Sequence, residues 1–359
     1  MGALRIAVLS VLMLLAAASP AAAKPGFLGR GHDPGVAVDA AGTAHVAWLA
    51  AAADGAGTLE YCQVPRGKRA CAARTSIPLE DDGFGKVQVM LPRPGVVQIV
   101  APLLEPTLLF TSLDDGATFV GRNLGDLPAI STAFYGPGGG ISIMSGSGPA
   151  SYGRFAPDGS GPGELPVELA DTTDSLDTTL SPFGGGLIAM FSGLATRAAI
   201  WNGLGEPNLQ QSWVPGPSLG KSRTDPSAVP ARSGALVAYV QRRGIKRTGI
   251  YVRRVRSNGR LGKAKRVTRS DPTELQLLRG PKGDFAIVYP SGTHSRALIV
   301  RSRKGGRWTK PRRLFRGNEP TDLHAVLGRR GGWMVWDADA GNAGSNPIRI
   351  SALPGAPRR

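Results

Sequence analysis

An acidic residue followed by proline opens a module that recurs along this chain. Asp33-Pro34 leads to the apolar run 44–48, Asp225-Pro226 to 235–239, Asp271-Pro272 to 285–289, and Glu319-Pro320 to 333–336. Weaker openings at Asp81, Asp126 and Asp174 fill the gap between the first and the last three, and successive openings lie 45 to 51 residues apart. A period of this size is the expected signature of four-stranded propeller blades. Each interval has room for two further strands, legible at 249–255 with 264–268 and at 297–301 with 311–315. Short, evenly spaced strands punctuated by Gly, Pro, Asn and Asp argue for an all-β radial architecture.

The predicted fold is one β-propeller of about seven four-stranded blades, or six if the opening near Asp126 or Asp174 is misread. The last unit shows strands at 323–326, 333–336 and 348–353 but no fourth, and residues 26–29 are placed to complete that blade and close the ring. Closure removes the exposed edge that an open radial sheet leaves. Gly at 50 and Pro at 29 of 359 residues stay below the roughly 25 to 30% that marks low complexity, so a folded chain is expected.

Residues 1–23 read as a cleaved secretory leader: Arg5 supplies the charge, 6–18 the apolar stretch, and Ala21-Ala22-Ala23 a small-residue cleavage site. The apolar stretch is shorter than the about 20 residues that a span needs, and Pro20 interrupts it. The propeller domain is therefore expected over 24–359, exported to a periplasmic or extracellular compartment and without a transmembrane segment. Such a compartment favours a bond between Cys62 and Cys71, which bracket a polar turn and would pin the tip of a hairpin. The aromatics Trp48, Tyr239, Tyr289 and Trp336 each end the second strand of a unit. Packing between blades is the expected role of rings this large.

The run Ser112-Leu113-Asp114-Asp115-Gly116-Ala117-Thr118-Phe119 reads S-x-D-x-G-x-T-F. Its physics is that of a tight hairpin: Ser and Asp side chains bond turn amides, and Gly takes a backbone shape closed to other residues. Over these eight residues the chain resembles the Asp box, or BNR repeat, of the sialidases and related secreted propellers. The resemblance implies a structural role, away from substrate, for Ser112, Asp114, Gly116, Thr118 and Phe119. The Cys62 to Cys71 loop, 257–259 and 301–308 fall at the same corner of other units.

Sialidases use three arginines to hold a carboxylate, a Tyr activated by Glu as nucleophile, and an Asp as acid/base. This chain lacks the R-I-P signature of the first arginine, although Tyr289 and Glu274 fall in one unit. No catalytic residue is assigned, and an exo-α-sialidase activity remains the alternative reading. His32, His45, His294 and His324 lack metal-ligand spacing, and the Gly-rich run 135–140 follows no strand-to-helix switch, so neither a metal nor a cofactor is expected.

The net charge of +17 is unevenly placed: residues 24–222 carry twelve Lys and Arg against eighteen Asp and Glu, and residues 223–359 carry thirty against eight. Two readings follow. Arg253, Arg254, Arg312 and Arg313, on outer strands, block edge pairing or attract an anionic polysaccharide or envelope surface. Specific nucleic-acid binding is not expected, because no reading motif is present. The openings Asp33, Asp81, Asp126, Asp174, Asp225, Asp271 and Glu319 begin innermost strands and would ring the channel mouth, as ligand groups or as turn starters. The sequence favours a non-catalytic binding or scaffolding protein at the cell envelope.

Overall fold

The computed structural model describes residues 24–51, 56–80, 83, 85–103, 106–125, 130–135, 140–145, 151–159, 164–168, 177–183, 186–192, 197–201, 213–215, 226–231, 234–241, 248–258, 260–291, 296–302, 307–316, 320–338 and 346–353. The leader 1–23 lies outside the described residues, as do Asp81, Asp126, Asp174, Asp225, Glu319 and His294. Among the described residues no helix is long and apolar enough to cross a membrane.

The described chain is all-β: five four-stranded antiparallel sheets, and a seven-stranded one that the strand Gly26–Val38 divides into a first sheet and a last. The first holds β1 (Gly26–Val38), β2 (Ala44–Ala51), β3 (Gly57–Val64) and β4 (Ala73–Leu79). The second holds β5 (Gln88–Arg93), β6 (Val96–Pro102), β7 (Thr107–Ser112) and β8 (Val120–Asn123). β9 (Ile130–Tyr135), β10 (Ile141–Ser145), β11 (Ser151–Phe155) and β12 (Glu164–Glu168) make the third. β13 (Asp177–Phe183), β14 (Gly186–Ser192), β15 (Arg197–Trp201) and β16 (Trp213–Pro215) make the fourth. The fifth comprises β17 (Ser227–Ala231), β18 (Gly234–Gln241), β19 (Gly249–Arg256) and β20 (Lys265–Thr268). The sixth comprises β21 (Gln276–Arg279), β22 (Phe285–Pro290), β23 (Arg296–Arg301) and β24 (Arg312–Arg316). β25 (Pro320–Gly328), β26 (Gly331–Ala338) and β27 (Asn346–Leu353) make the last, counted here as the seventh.

β1 serves two sheets. Its first half pairs with β27, from Gly26 opposite Ile350 to Gly31 opposite Asn346, and its second half pairs with β2, from His32 opposite Leu49 to Val38 opposite Ala44. The register breaks between His32 and Gly35, where Asp33 takes a left-handed φ of 51°. The first strand of each sheet contacts the first strand of the next, β1 to β5, β9, β13, β17, β21 and β25, and β25 contacts β1 again.

Apolar clusters fill the seams between neighbouring sheets. Trp336 stacks on Phe315 at 4.2 Å and 10°, joining β26 to β24 in a cluster with Leu278 and Val288. Trp48 lies with Ile348, Trp333 and Cys62, and Tyr289 with Val240 and Leu275. Trp48, Tyr239, Tyr289 and Trp336 are all fully buried, so the recurrent second-strand aromatic is core. Burial of such a side chain stabilises by about 1.5 to 3 kcal/mol.

Cys62 of β3 is bonded to Cys71, with Cα atoms 5.5 Å apart. The loop they close leans on the first strand: a Cβ at Gly26 would fall 2.0 Å from the Arg69 carbonyl oxygen, so this position requires glycine. Joint Cys62→Ser and Cys71→Ser replacement should lower stability by about 2 to 3 kcal/mol in urea unfolding. Reductant should produce the same loss in the wild type and none in the variant; equal midpoints for all samples would show that the bond does not carry stability.

Candidate functional site

Bonds between neighbouring first strands, and from Lys86 to Glu274, set the heads of β17, β21, β25 and β5 and the middle of β1 at one end. At three of these heads a charged residue precedes a buried aliphatic one and a polar one: Lys86-Val87-Gln88, Glu274-Leu275-Gln276 and Asp322-Leu323-His324. Asp33 occupies the same region of β1, where its backbone carbonyl accepts the Val87 N–H at 3.3 Å. The four charges come from the second, sixth, seventh and first sheets, which are consecutive around the ring of first-strand contacts.

Side chains here bond the amides of the neighbouring inner strand. Glu274 Oε2 accepts from Leu323 N at 3.2 Å, Gln276 Oε1 from Ala325 N at 2.6 Å, and Ser227 Oγ from Leu277 N at 2.9 Å. The Asp33 carboxylate accepts from Gly85 N at 3.3 Å and lies 3.0 Å from His32 Nδ1. Lys86 Nζ reaches Glu274 Oε1 at 3.5 Å, an ion pair between the second and sixth sheets. Thr321 Oγ1 donates to the Asp337 carboxylate.

This crowding shifts titrations. Burial, with Asp33, Asp337 and Glu274 nearby, pushes the Asp322 carboxyl up to about 7, and its φ of 45° is left-handed. Asp337 is raised too, chiefly by burial. Burial and the Lys86 charge lower His324 to about 3, so it is neutral at physiological pH. The cluster therefore combines carboxyl and amide acceptors, the Lys86 amine, a neutral imidazole and a carboxyl that exchanges its proton near neutrality. Such a set can hold hydroxyl-bearing or charged groups. Among the described residues no three His, Cys, Asp or Glu side chains are arranged to hold a metal ion.

Of the seven acidic openings, the described two part company: Asp33 joins this cluster, and Asp271 is exposed on the approach to β21. Lys86, Glu274, Asp322 and His324 escaped sequence reasoning as a set, because their charges differ in sign and they follow the openings by a few residues. The signal that could have found them is the repeated charged–aliphatic–polar triplet. Two of the histidines, His32 and His324, lie here, whereas His45 is buried with Nδ1 2.6 Å from Tyr61 Oη.

The Ser112 to Phe119 turn lies at the other end, between β7 and β8. Ser112 Oγ donates to Asp114 Oδ1 and accepts from Gly116 N, both at 2.7 Å. Asp114 accepts from Thr118 N at 2.9 Å and from Thr118 Oγ1 at 2.7 Å, bonds that hold its carboxyl down to about 2. Asp115 and Gly116 are left-handed, at φ 59° and 90°. The turn docks on the first sheet: Thr75 Oγ1 donates to the Gly116 carbonyl at 2.7 Å, Gln63 Nε2 donates to the Asp115 carbonyl, and Phe119 sits edge-on to Tyr61 at 5.2 Å. A Cβ at Gly116 would fall 2.2 Å from the Tyr61 ring.

Tyr289 and Glu274 engage different groups: Glu274 accepts from Leu323 N and pairs with Lys86. The Tyr289 hydroxyl lies 3.2 Å from Ser270 Oγ, its side chain is fully buried, and burial raises its pKa. On the outer strands Arg254 and Arg312 are exposed and Arg313 is half-buried, while half-buried Arg253 donates through Nε to the Gly262 carbonyl at 2.6 Å.

No protein-family model and no curated protein matches the chain. Solved structures do. A catalytically inactive virginiamycin B lyase from Staphylococcus aureus, bound to quinupristin, is 13% identical with a TM-score of 0.59, over 92% of this chain and 99% of that one. The polysaccharide lyase Uly1 is 8% identical with a TM-score of 0.54, over 90% of each chain. A sialidase from Trypanosoma rangeli is 10% identical with a TM-score of 0.48, over 77% of this chain and 56% of that one. At these identities the likeness to the two lyases is one of fold: an all-β chain in four-stranded sheets, resembling propellers.

Proposed function

We propose that the chain is an exported, closed seven-bladed β-propeller, a single domain over residues 24–359 once the leader 1–23 is removed, acting as a non-catalytic binding or scaffolding protein at the cell envelope. The ring of first-strand contacts and the double pairing of β1 support closure and the count of seven. The disulfide fits an oxidising compartment. The Ser112 to Phe119 turn is read as an Asp box with a structural role, because its side chains are spent on its own amides and on the first sheet.

The partner is an anionic glycan or envelope surface. The observation that carries this reading is the sector Gly249–Arg316, which holds nineteen Lys and Arg against three acids, Asp271, Glu274 and Asp284. Such a field attracts polyanions and weakens with ionic strength. Retention on heparin-like and anionic lipid supports should fall as salt rises and as exposed Lys and Arg of this sector are reversed in charge. Retention that persists at high salt would defeat the reading. The burial of Tyr289 speaks against sialidase chemistry, so a fluorogenic sialoside should not be turned over; turnover abolished by Tyr289→Phe would favour the hydrolase.

A further inference from the structure

Because the heads of the first strands share one end, the turns joining first to second and third to fourth strands share the opposite end. The Gly42 backbone shows three of these turns meeting: Arg330 Cβ and Arg66 Cδ would each lie 3.3 Å from a Cβ placed there, and Trp333 Nε1 donates to the Gly42 carbonyl at 2.9 Å. Arg330 belongs to the β25–β26 turn, Gly42 to β1–β2 and Arg66 to β3–β4.

Across the fifth, sixth, seventh and first sheets, which are consecutive, the described residues of these turns include ten exposed Lys and Arg, among them Arg66, Lys68, Arg260, Lys282, Lys310 and Arg330. They include two acids, Asp39 and Asp284. Asp39 is engaged by its own turn, accepting from Gly42 N at 2.7 Å and Thr43 N at 2.8 Å. On the second and third sheets the same end carries Asp114, Asp115 and Asp158 instead. Among the described residues the far end holds Asp33, Asp271, Glu274 and Asp322 beside Lys86 and Arg269, a mixture that the turns of these four sheets lack.

We propose that this turn-bearing end docks on the surface of an anionic lipid bilayer, tilted onto its fifth, sixth, seventh and first sheets, with the Asp33–Glu274–Asp322 end turned away. This rests on the anionic-surface reading and relocates it from the outer strands to the turns. Ten cations on the tips of turns from four sheets form a broad array rather than a lined groove, which suits a planar array of phosphate headgroups better than a single polymer strand. Each Lys or Arg near an anionic membrane adds to the attraction, and the field decays within a Debye length, so tips that project count most.

The test is sedimentation of the full chain with phosphatidylcholine vesicles, with and without phosphatidylglycerol, and retention on heparin. The triple variant Arg66→Glu, Lys310→Glu, Arg330→Glu should lose at least about 100-fold of its partition to the anionic vesicles. The matched set Arg253→Glu, Arg254→Glu, Arg312→Glu should lose far less, with thermal melting confirming that both fold. A solvatochromic dye on Asn258→Cys, in the β19–β20 turn, should shift on vesicle addition, and one on Thr273→Cys, at the opposite end, should not. Loss in the strand set alone would overturn this placement and leave the anionic-surface reading standing. Retention on heparin without vesicle binding would assign the surface to a polyanion and overturn the bilayer. Binding to neither would defeat both readings.

Discussion

Replacing Trp48 by alanine should lower the unfolding free energy by about 3 to 5 kcal/mol, the range for deleting a large buried aromatic. The ring is fully buried in the seam between the first and last sheets. Its Nε1 donates to the Arg30 carbonyl at 3.0 Å, so it holds the half of β1 that pairs with β27. The guanidinium of Arg74 lies 5.4 Å from the ring centroid, and Gly29 and Gly31 are small because the indole and the Leu49 backbone fill the space where side chains would go. Trp48→Phe should retain much of the packing and lose the hydrogen bond, costing about 1 to 2 kcal/mol less than alanine. Chemical unfolding monitored by circular dichroism checks both. Equal midpoints for wild type and Trp48→Ala would mean that the seam does not depend on the indole.

The second large effect concerns pH. The Asp322 carboxyl, ordinarily near 3.8, sits at about 7 in the folded chain, through burial and then through Asp33, Asp337 and Glu274. The folded state thus holds this proton more tightly than the unfolded state. Its stabilising contribution is complete below about pH 4 and is lost as pH rises through about 7, an effect on the order of 2 to 4 kcal/mol. Asp322→Asn should remove that dependence, so the variant gains on the wild type between pH 4 and 8. His324 runs oppositely: held near 3 against an ordinary 6.5, it stabilises above about 6.5 and less as pH falls. It is common to both proteins, so their difference in melting temperature isolates Asp322. Lys86, from β5's approach, opposes the shift, and Lys86→Met should raise the Asp322 pKa further. A difference between wild type and Asp322→Asn that is flat across this range would refute the assignment.

The architecture was legible because burial imposes a period. Strands expected at 249–255, 264–268, 297–301, 311–315, 333–336 and 348–353 are present as β19, β20, β23, β24, β26 and β27, with ends displaced by a few residues. The aromatics Trp48, Tyr289 and Trp336 lie in clusters that join neighbouring sheets. Pairing between the amino end and β27 was readable too, as a three-stranded last unit lacking a partner. The candidate site was not readable in the same way. Asp33 belonged to the acidic openings, yet its companions Lys86, Glu274, Asp322 and His324 share a location and not a chemistry. A search for like residues passes over a position that is basic in one sheet and acidic in two others. The far turns were missed for a related reason: Arg66 and Arg330 are separated in sequence by most of the chain, and alternating strand direction alone sets them beside the same glycine.

The double pairing of β1 also governs how this protein can be made. Gly26 must find Ile350 across more than 300 residues of intervening chain, so half of β1 waits on a partner that is synthesised much later. Until β27 arrives, that half of β1 has no neighbour on this side. Contacts of such long sequence separation make folding slow, and they make the final strand a checkpoint: a product truncated before residue 346 would leave the opening strand stranded and betray itself to proteases.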